Sequence, residues 1–440
     1  MSASASLAAR QARPVAAGAE ALPHALLNLA FVFSIFCYLR VFPFSSAEIQ
    51  PLGAIFAALY LLLAPRQLSP AFLVYAACIS VYALLGLANG VTASFETYLA
   101  VLAPVTICVA LRGKLHLLSP RLFLASLYLW FLVGASQSFF PGLQQALGLD
   151  GLLETAISRY SATPLAEAGG RGATLLAPEP SYSAHTIFLF FVFAMLFYRR
   201  GDISRRSFLC ALAAIGAMSV FNRSGTVAFI FMATLGGWLL LCLLRGKMRR
   251  AGLLASALVL VLGLPYLLLD WTQFRFMEVG AAFASALSSG GMDAFASQFV
   301  SIRAVSVNVA YSSLLEGNIL GHGLGSWSQT FLHYLDATGV GAEPVAWFLH
   351  VGEESNVKPY AHAALLALDA GVVGLLLEAM LLWHVMGGAR GLSRAWSDEL
   401  SFTIVAFSLF SIVLHTPVSL PVYWLTLLAG LAMASRRAAR

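Results

Sequence analysis

The sequence predicts an all-α, polytopic membrane protein of about twelve spans, and three observations carry that expectation. Of its 440 residues, 60% are hydrophobic and 10% are charged, against roughly 25% charged in soluble domains. The mean hydropathy is +0.82. Apolar runs of about 18 residues or more recur along the chain, and the hydrocarbon core of a bilayer asks for about 20 per helix. In lipid the backbone must satisfy its own hydrogen bonds, which a continuous apolar run does as a helix. Water-soluble classes are excluded on this ground. The formal charge of +6 does not point to nucleic acid, because the basic residues gather in loops that flank the apolar runs.

In chain order, residues 1–23 are a small-residue, polar lead-in without the pattern of a cleavable signal peptide. The expected spans follow at 25–41, 51–64, 71–89, 97–111, 122–138, 183–198, 207–221, 225–243, 251–269, 362–385, 400–415 and 416–434, the second being short. With the amino terminus inside, the basic residues Arg66, Arg112, Lys114, Arg199, Arg200, Arg245, Lys247, Arg390 and Arg394 all fall in cytoplasmic loops, and Arg436 and Arg437 follow the last span. The outside keeps Arg40, Arg159, Arg171, Arg223, Arg275, Arg303 and Lys358, seven of 26. Positive charge retained inside orients both termini to the cytoplasm. Two long outer segments, 139–182 and 270–361, interrupt the spans. The second is expected to carry an amphipathic helix with Phe295, Phe299, Ile302, Val305 and Val309 on one face, lying on or dipping into the outer interface and started by the turn Ser288-Ser289-Gly290-Gly291. No repeat, low-complexity tract or soluble domain interrupts residues 1–440, which read as one membrane domain. The cysteines (Cys37, Cys78, Cys108, Cys210, Cys242) all lie inside apolar runs, none placed for a loop disulfide or a metal.

The few cations outside are the informative ones. Arg223, in Asn222-Arg223-Ser224-Gly225, sits at the mouth of a span, where its charge costs desolvation energy unless an anion meets it. Snorkelling to the interface is the bland alternative. Arg303, at the edge of the amphipathic stripe, is by itself an ordinary polar-face residue. Arg171 precedes Glu179, whose flanking Pro178 and Pro180 restrict where the carboxylate can point. Glu179 is either a site residue or, more plainly, a solvated loop acid or a partner for Arg171. His362 opens the tenth span, and Asp369, seven residues on, shares its helix face. An intramembrane carboxylate is a functional-site hypothesis by default, with the orienting of a neighbour as the plainer role.

Several arginines on one face suit a phosphate ligand, since the guanidinium fork binds phosphate oxygens bidentately and stays charged. A His or carboxylate beside them can take a proton from a sugar hydroxyl. The combination suggests glycosyl transfer from a lipid-linked diphosphate, whose departing charge has to be stabilised. No Asp-x-Asp pair, Cys/His cluster or acidic loop with metal-ligand spacing stands in the sequence, so the expected mechanism is metal-free and without a cofactor.

These residues resemble the superfamily of bacterial O-antigen ligases and O-antigen or exopolysaccharide polymerases. Four pieces over roughly residues 171–380 carry the resemblance. Arg171 with Glu179-Pro180-Ser181-Tyr182 is similar to the family's Arg followed by Glu-Pro-Ser or Pro-Asn. Asn222-Arg223-Ser224-Gly225 is similar to its Ser-Arg-Ser-Gly turn. Arg303 and Gly317-Asn318-Ile319-Leu320-Gly321-His322-Gly323-Leu324-Gly325 are similar to its Asn-Pro-Leu-Leu-Gly-x-Gly-x-Gly stretch. His362 with Leu365, Leu368, Gly371 and Gly374 is similar to His-Asn-x-x-Leu…Gly-x-x-Gly.

The resemblance implies a GT-C-like fold in the bacterial inner membrane. It also implies an undecaprenyl-diphosphate-linked glycan as donor, inverting transfer without a metal, and a chain-length regulator as a further partner. Carried over, Arg223 and Arg303 grip the diphosphate, Arg171 and Glu179 line the acceptor side, and His362 is the base or acceptor-orienting group. The sequence departs from the family at Ala363, where Asn is common. Its Glu-Pro-Ser, where many ligases have Pro-Asn, leans towards a polymerase. The rivals are a ligase acting on lipid A-core, a transporter or flippase, and a non-catalytic assembly protein docking anionic lipid. A transporter usually shows similar halves and a long central cytoplasmic loop, whereas here the longest loop is outside.

Overall fold

A computed structural model describes residues 13–40, 49–157, 172–256, 285, 302–337 and 357–437. Long apolar runs become helices, and local chemistry sets where each begins. Pro70, Pro120, Pro141 and Pro180 each open a helix, where a missing N–H costs nothing. Ser69, Ser119, Ser204 and Ser224 each accept a backbone N–H of the turn they open, the usual N-cap bond. The resulting helices are α1 (Arg13–Ile35), α2 (Leu52–Leu63), α3 (Pro70–Ala88), α4 (Ser94–Leu111), α5 (Pro120–Phe139), the short α6 (Pro141–Ala146) and α7 (Leu149–Ala156), α8 (Pro180–Arg200), α9 (Arg205–Asn222) and α10 (Gly225–Leu244). After them come α11 (Ile302–Leu315), α12 (Trp327–Ala337), α13 (His362–Met386), α14 (Gly388–Trp396), α15 (Glu399–Leu414) and α16 (Val422–Arg437). Among the described residues there is no strand, only an isolated bridge between Leu39 and Ile157.

Six of these helices, α3, α4, α5, α8, α10 and α13, are long and apolar enough to cross a membrane. Shorter apolar helices stand at 21–35, in α2, in α15 and at 422–435. They overlap the expected spans 25–41, 51–64, 400–415 and 416–434, with 36–40 and 416–421 outside helix, and α9 covers 207–221. The expected span 251–269 begins inside a helix at 248–256 and otherwise lies outside the described residues.

Helix α8 is the axis of the bundle. It packs against α9, α10 and α16, and 83% of its apolar window is buried, against 22% for α10. Protein therefore surrounds α8, while α10 keeps a broad apolar face, with Leu240, Leu243 and Leu244 exposed, as lipid contact requires. Its Phe190 meets Trp130 edge-on at 6.0 Å, and Phe193 and Phe197 pack on Phe31 at 4.7 Å and Phe123 at 5.1 Å. At its Arg200 end, Arg199 pairs with Asp398 at 2.6 Å. Beside it, Arg245, Lys247 and Arg250 surround the buried Glu399.

Helix α13 is not the straight span that its 25 apolar residues suggest. Gly371 has φ +63 and ψ −149, a conformation open to glycine and closed to side chains with a Cβ. On a straight helix, residues 16 apart lie about 24 Å from each other. Yet His362 Nδ1 stands 3.0 Å from Glu378 Oε1. A Cβ placed on Gly374 would lie 2.4 Å from the Leu366 carbonyl oxygen. The helix therefore folds back on itself, 362–370 in one direction and 372–386 in the other.

The glycine-rich stretch 317–325 is packed onto the tip of that hairpin. Asn318 donates to the carbonyls of Ala367 and Leu368, and His322 and Gly323 donate to the carbonyl of Asp369. Leu324 donates to Tyr82 of α3. Added Cβ atoms would strike backbone at Gly321, Gly323, Gly325 and Gly371 alike, so glycine here is a condition of close approach.

The expected amphipathic helix is seen in part. Phe295, Phe299 and the turn at 288–291 lie outside the described residues. Val305 and Val309, on α11, are fully buried. Helix α11 packs against α12 and α13, so this face meets protein instead of the membrane interface.

Candidate functional site

The start of α8 gathers Glu179, Arg303 and the Arg223 turn from among the residues singled out in the sequence. Glu179 is its N-cap, held extended at φ −141 and ψ 157 between the two prolines, and its side chain makes no capping bond. That leaves the carboxylate, 52% exposed, to accept from Ser181 Oγ at 3.2 Å and to face Arg303. The Arg303 guanidinium donates to Ser181 Oγ at 3.2 Å and lies 3.8 Å from Glu179. It sits over the Tyr360 ring at 4.3 Å and nearer the edge of reach of Tyr182 at 5.9 Å. Aromatic faces stabilise a cation in a poorly hydrated site by roughly 0.5–2 kcal/mol. A half-exposed ion pair contributes little and opens readily, so a ligand anion can take the carboxylate's place on Arg303.

Arg223 reaches the same corner through its backbone. It caps the end of α9 with φ +49, a left-handed conformation costing about 1–2 kcal/mol for a residue with a Cβ. Such strain at a charged residue points to function. The turn is held by Asn222, fully buried, whose amide donates to Pro180 O at 2.9 Å, Ser183 Oγ at 2.6 Å and Ala173 O at 3.3 Å. A Cβ on Gly172 would overlap the Asn222 carbonyl at 2.0 Å, so the segment entering α8 lies directly on the Arg223 turn. Arg171 itself lies outside the described residues.

His362 and Asp369 are placed elsewhere. His362 is buried, with Nδ1 on Glu378 at 3.0 Å, Nε2 on the Val101 carbonyl at 3.1 Å and Trp424 edge-on at 5.4 Å. Tyr75 Oη donates to the other Glu378 oxygen at 3.4 Å. Both ring nitrogens are thus committed inside the bundle, an arrangement that does not fit the expected proton transfer with a hydroxyl of the substrate. What His362 does is tie together the two limbs of α13 and α4. Asp369, at the hairpin tip, accepts from Gly325 N at 2.7 Å, Trp327 N at 2.8 Å and Ser326 Oγ at 3.0 Å. It fastens the glycine-rich stretch and the start of α12.

Three participants were not singled out in the sequence. Ser181 and Tyr182 stand inside the motif that drew attention to Glu179, and Tyr360 two residues before His362. Their signal was adjacency alone. Behind them, His185 Nδ1 meets Tyr423 Oη at 2.7 Å, and the His415 ring lies 6.2 Å from His185 and 6.3 Å from Tyr360. Nearby, burial pushes the Lys358 ammonium down from its ordinary value, with Glu96 and Asp369 acting the other way.

Among the described residues, no three His, Cys, Asp or Glu side chains stand together as metal ligands. The corner sets the Arg303 guanidinium, a phosphate-binding group by its chemistry, next to an accessible carboxylate, with the Arg223 turn packed beside them. No protein-family model matches the chain, and no curated protein matches it.

Proposed function

We propose that this chain is a polysaccharide polymerase of the bacterial inner membrane. In this reading it has about twelve spans in a GT-C-like arrangement, both termini are cytoplasmic, and the corner at the start of α8 faces outward. The enzyme transfers glycan from an undecaprenyl-diphosphate-linked donor to a lipid-linked repeat unit. The observation that carries the reading is the meeting of Arg303, Glu179 and the Arg223 turn on one helix start, through Ser181 and Asn222.

The chemistry follows from that geometry. An acceptor hydroxyl oxygen attacks the anomeric carbon as the bond to the diphosphate oxygen breaks, inverting the centre. Arg303, Arg223 and, in this reading, Arg171 stabilise the departing diphosphate, charge that is largest in the transition state. Glu179 takes the hydroxyl proton, a role worth typically about 10²–10⁴-fold in rate. Its accessibility, set against the enclosed His362, is why the base is assigned to it. No metal enters this scheme, because the guanidinium groups take the place of a cation beside the phosphates.

The test uses purified protein, a lipid-diphosphate-linked glycan donor and two acceptors, a lipid-diphosphate repeat unit and a lipid A-core. Products longer by whole repeats on the first acceptor, lost in Glu179→Gln with melting unchanged, are the expected result. Transfer only to lipid A-core makes the protein a ligase. Transfer to neither, in a sample that still melts cooperatively, removes the enzyme reading. Activity should persist in EDTA; loss restored by magnesium refutes the metal-free scheme. A reporter fused at Lys247 should read cytoplasmic.

A further inference from the structure

At the opposite end of α8, about 30 Å from Glu179 along a helix of 21 residues, a cavity of about 500 Å³ opens where α4, α8, α13 and α16 end and α14 begins. The size lies within the range of roughly 300–1,000 Å³ that holds small ligands. Its wall is divided by chemistry. Arg112, Arg200 and Arg394 supply positive charge, and Val385, Leu428 and Leu431 supply an apolar side.

Among the described residues no carboxylate lines this cavity. Arg200 is a fixed part of the wall: its side chain is only 8% exposed, it pairs with Asp202 at 2.8 Å, and it donates to the carbonyls of Leu115 and His116. Arg112 meets His384, a partner that accepts its N–H as the neutral imidazole. It also borders a second space of about 240 Å³. Arg394 is exposed, with no carboxylate in ion-pair range among the described residues. Helix carboxyl ends attract cations, which accounts for arginine at such ends. It does not account for three of them on the wall of one cavity with a single carboxylate, Asp202, set against them.

We infer that this cavity binds the phosphate headgroup of an anionic phospholipid, with Arg112 and Arg394 on the phosphate and the Val385–Leu428–Leu431 side against the start of its acyl chains. The shared chemistry, a phosphate oxyanion, is also offered by free phosphate. The apolar half of the wall selects the lipid. Basic pockets between spans are the form such headgroup sites take, and in the orientation proposed above the cavity opens to the cytoplasmic leaflet. The inference does not depend on the activity assigned to the Glu179 end.

The test is lipid binding to the full-length protein, purified in detergent and stripped of lipid, read by native mass spectrometry. Phosphatidylglycerol should bind saturably and phosphatidylcholine at least tenfold more weakly. Arg112→Gln with Arg394→Ala should weaken phosphatidylglycerol binding by about five- to tenfold for each guanidinium removed. Arg200 is left in place because it braces the wall. Ser435→Glu puts an opposing charge on the exposed last turn of α16, which lines the cavity, and should weaken binding without removing any arginine. It decides the matter if the double variant fails to fold. Equal binding of both lipids, or variants that bind phosphatidylglycerol like wild type, overturns the inference. Displacement of the lipid by excess inorganic phosphate, with equal thermal stabilisation by phosphate alone, assigns the site to the free anion and also overturns it.

Discussion

Replacing His362 with alanine separates a bracing role from a catalytic one. The substitution removes an imidazole that contacts Glu378 at 3.0 Å and the Val101 carbonyl at 3.1 Å. It leaves Glu378, 2% exposed, with Tyr75 at 3.4 Å and a new void against Trp424. Breaking a buried pair from one side costs about 3–5 kcal/mol, because the remaining partner stays desolvated and uncompensated. A lost hydrogen bond to a carbonyl adds about 1 kcal/mol. Melting in detergent should therefore fall by about 5 °C or more, while polymerisation per folded molecule falls far less. His362→Leu combined with Glu378→Leu should recover part of the melting temperature, since no buried carboxylate is left behind. A His362→Ala protein that melts like wild type yet loses about 10²–10⁴ in turnover refutes this reasoning and returns the imidazole to the chemistry.

Three more outcomes follow from the same geometry. Arg303→Ala should lower polymer formation by roughly ten- to a hundredfold at equal protein level, since a charge-assisted phosphate contact contributes about 1.5–3 kcal/mol. Lysine should restore it only partly for want of the bidentate fork, and full activity in the alanine variant would confine Arg303 to pairing with Glu179. Asp369→Ala strands three buried donors, at about 1–3 kcal/mol each, and should speed hydrogen exchange over 318–330; unchanged protection would mean that the glycine-rich stretch holds without it. At the other end of α8, burial raises the Asp398 carboxyl, but hydrogen bonds from Arg199 and Ser401 outweigh it and hold the group below its ordinary value. A depressed carboxylate stabilises the fold above its unfolded pKa and loses that contribution as pH falls through the folded one. Acid titration of melting in wild type should thus show a loss, below the usual carboxylate range, that is smaller in Asp398→Asn; equal acid sensitivity would remove Asp398 from the account.

Much of the helical framework was legible in the chain. Continuous apolar runs are local features, and among the described residues they form helices. The Glu-Pro-Ser and Asn-Arg-Ser-Gly pieces were legible too, because both sit at helix ends whose backbone demands are local. The partners of His362 were not. Val101 is 261 residues away from it in sequence, and Glu378 comes within 3.0 Å only because the helix folds at Gly371. Local periodicity, which places residues 16 apart at opposite ends of a helix, cannot show either contact.

Composition and periodicity by themselves determined that this is a helical membrane protein, because an unpaired backbone in lipid is too costly for a long apolar run to stay irregular. They also placed arginines and a carboxylate beside helix ends. Only the tertiary structure decided that Glu179 and Arg303, far apart in the chain, face one another and that 362–386 is a hairpin. It alone placed His362 and Asp369 as interior braces. The physical reason is that burial and hydrogen-bond saturation belong to packed neighbours. A side chain's chemistry is open or closed according to what lies against it, and no stretch of sequence carries that information alone.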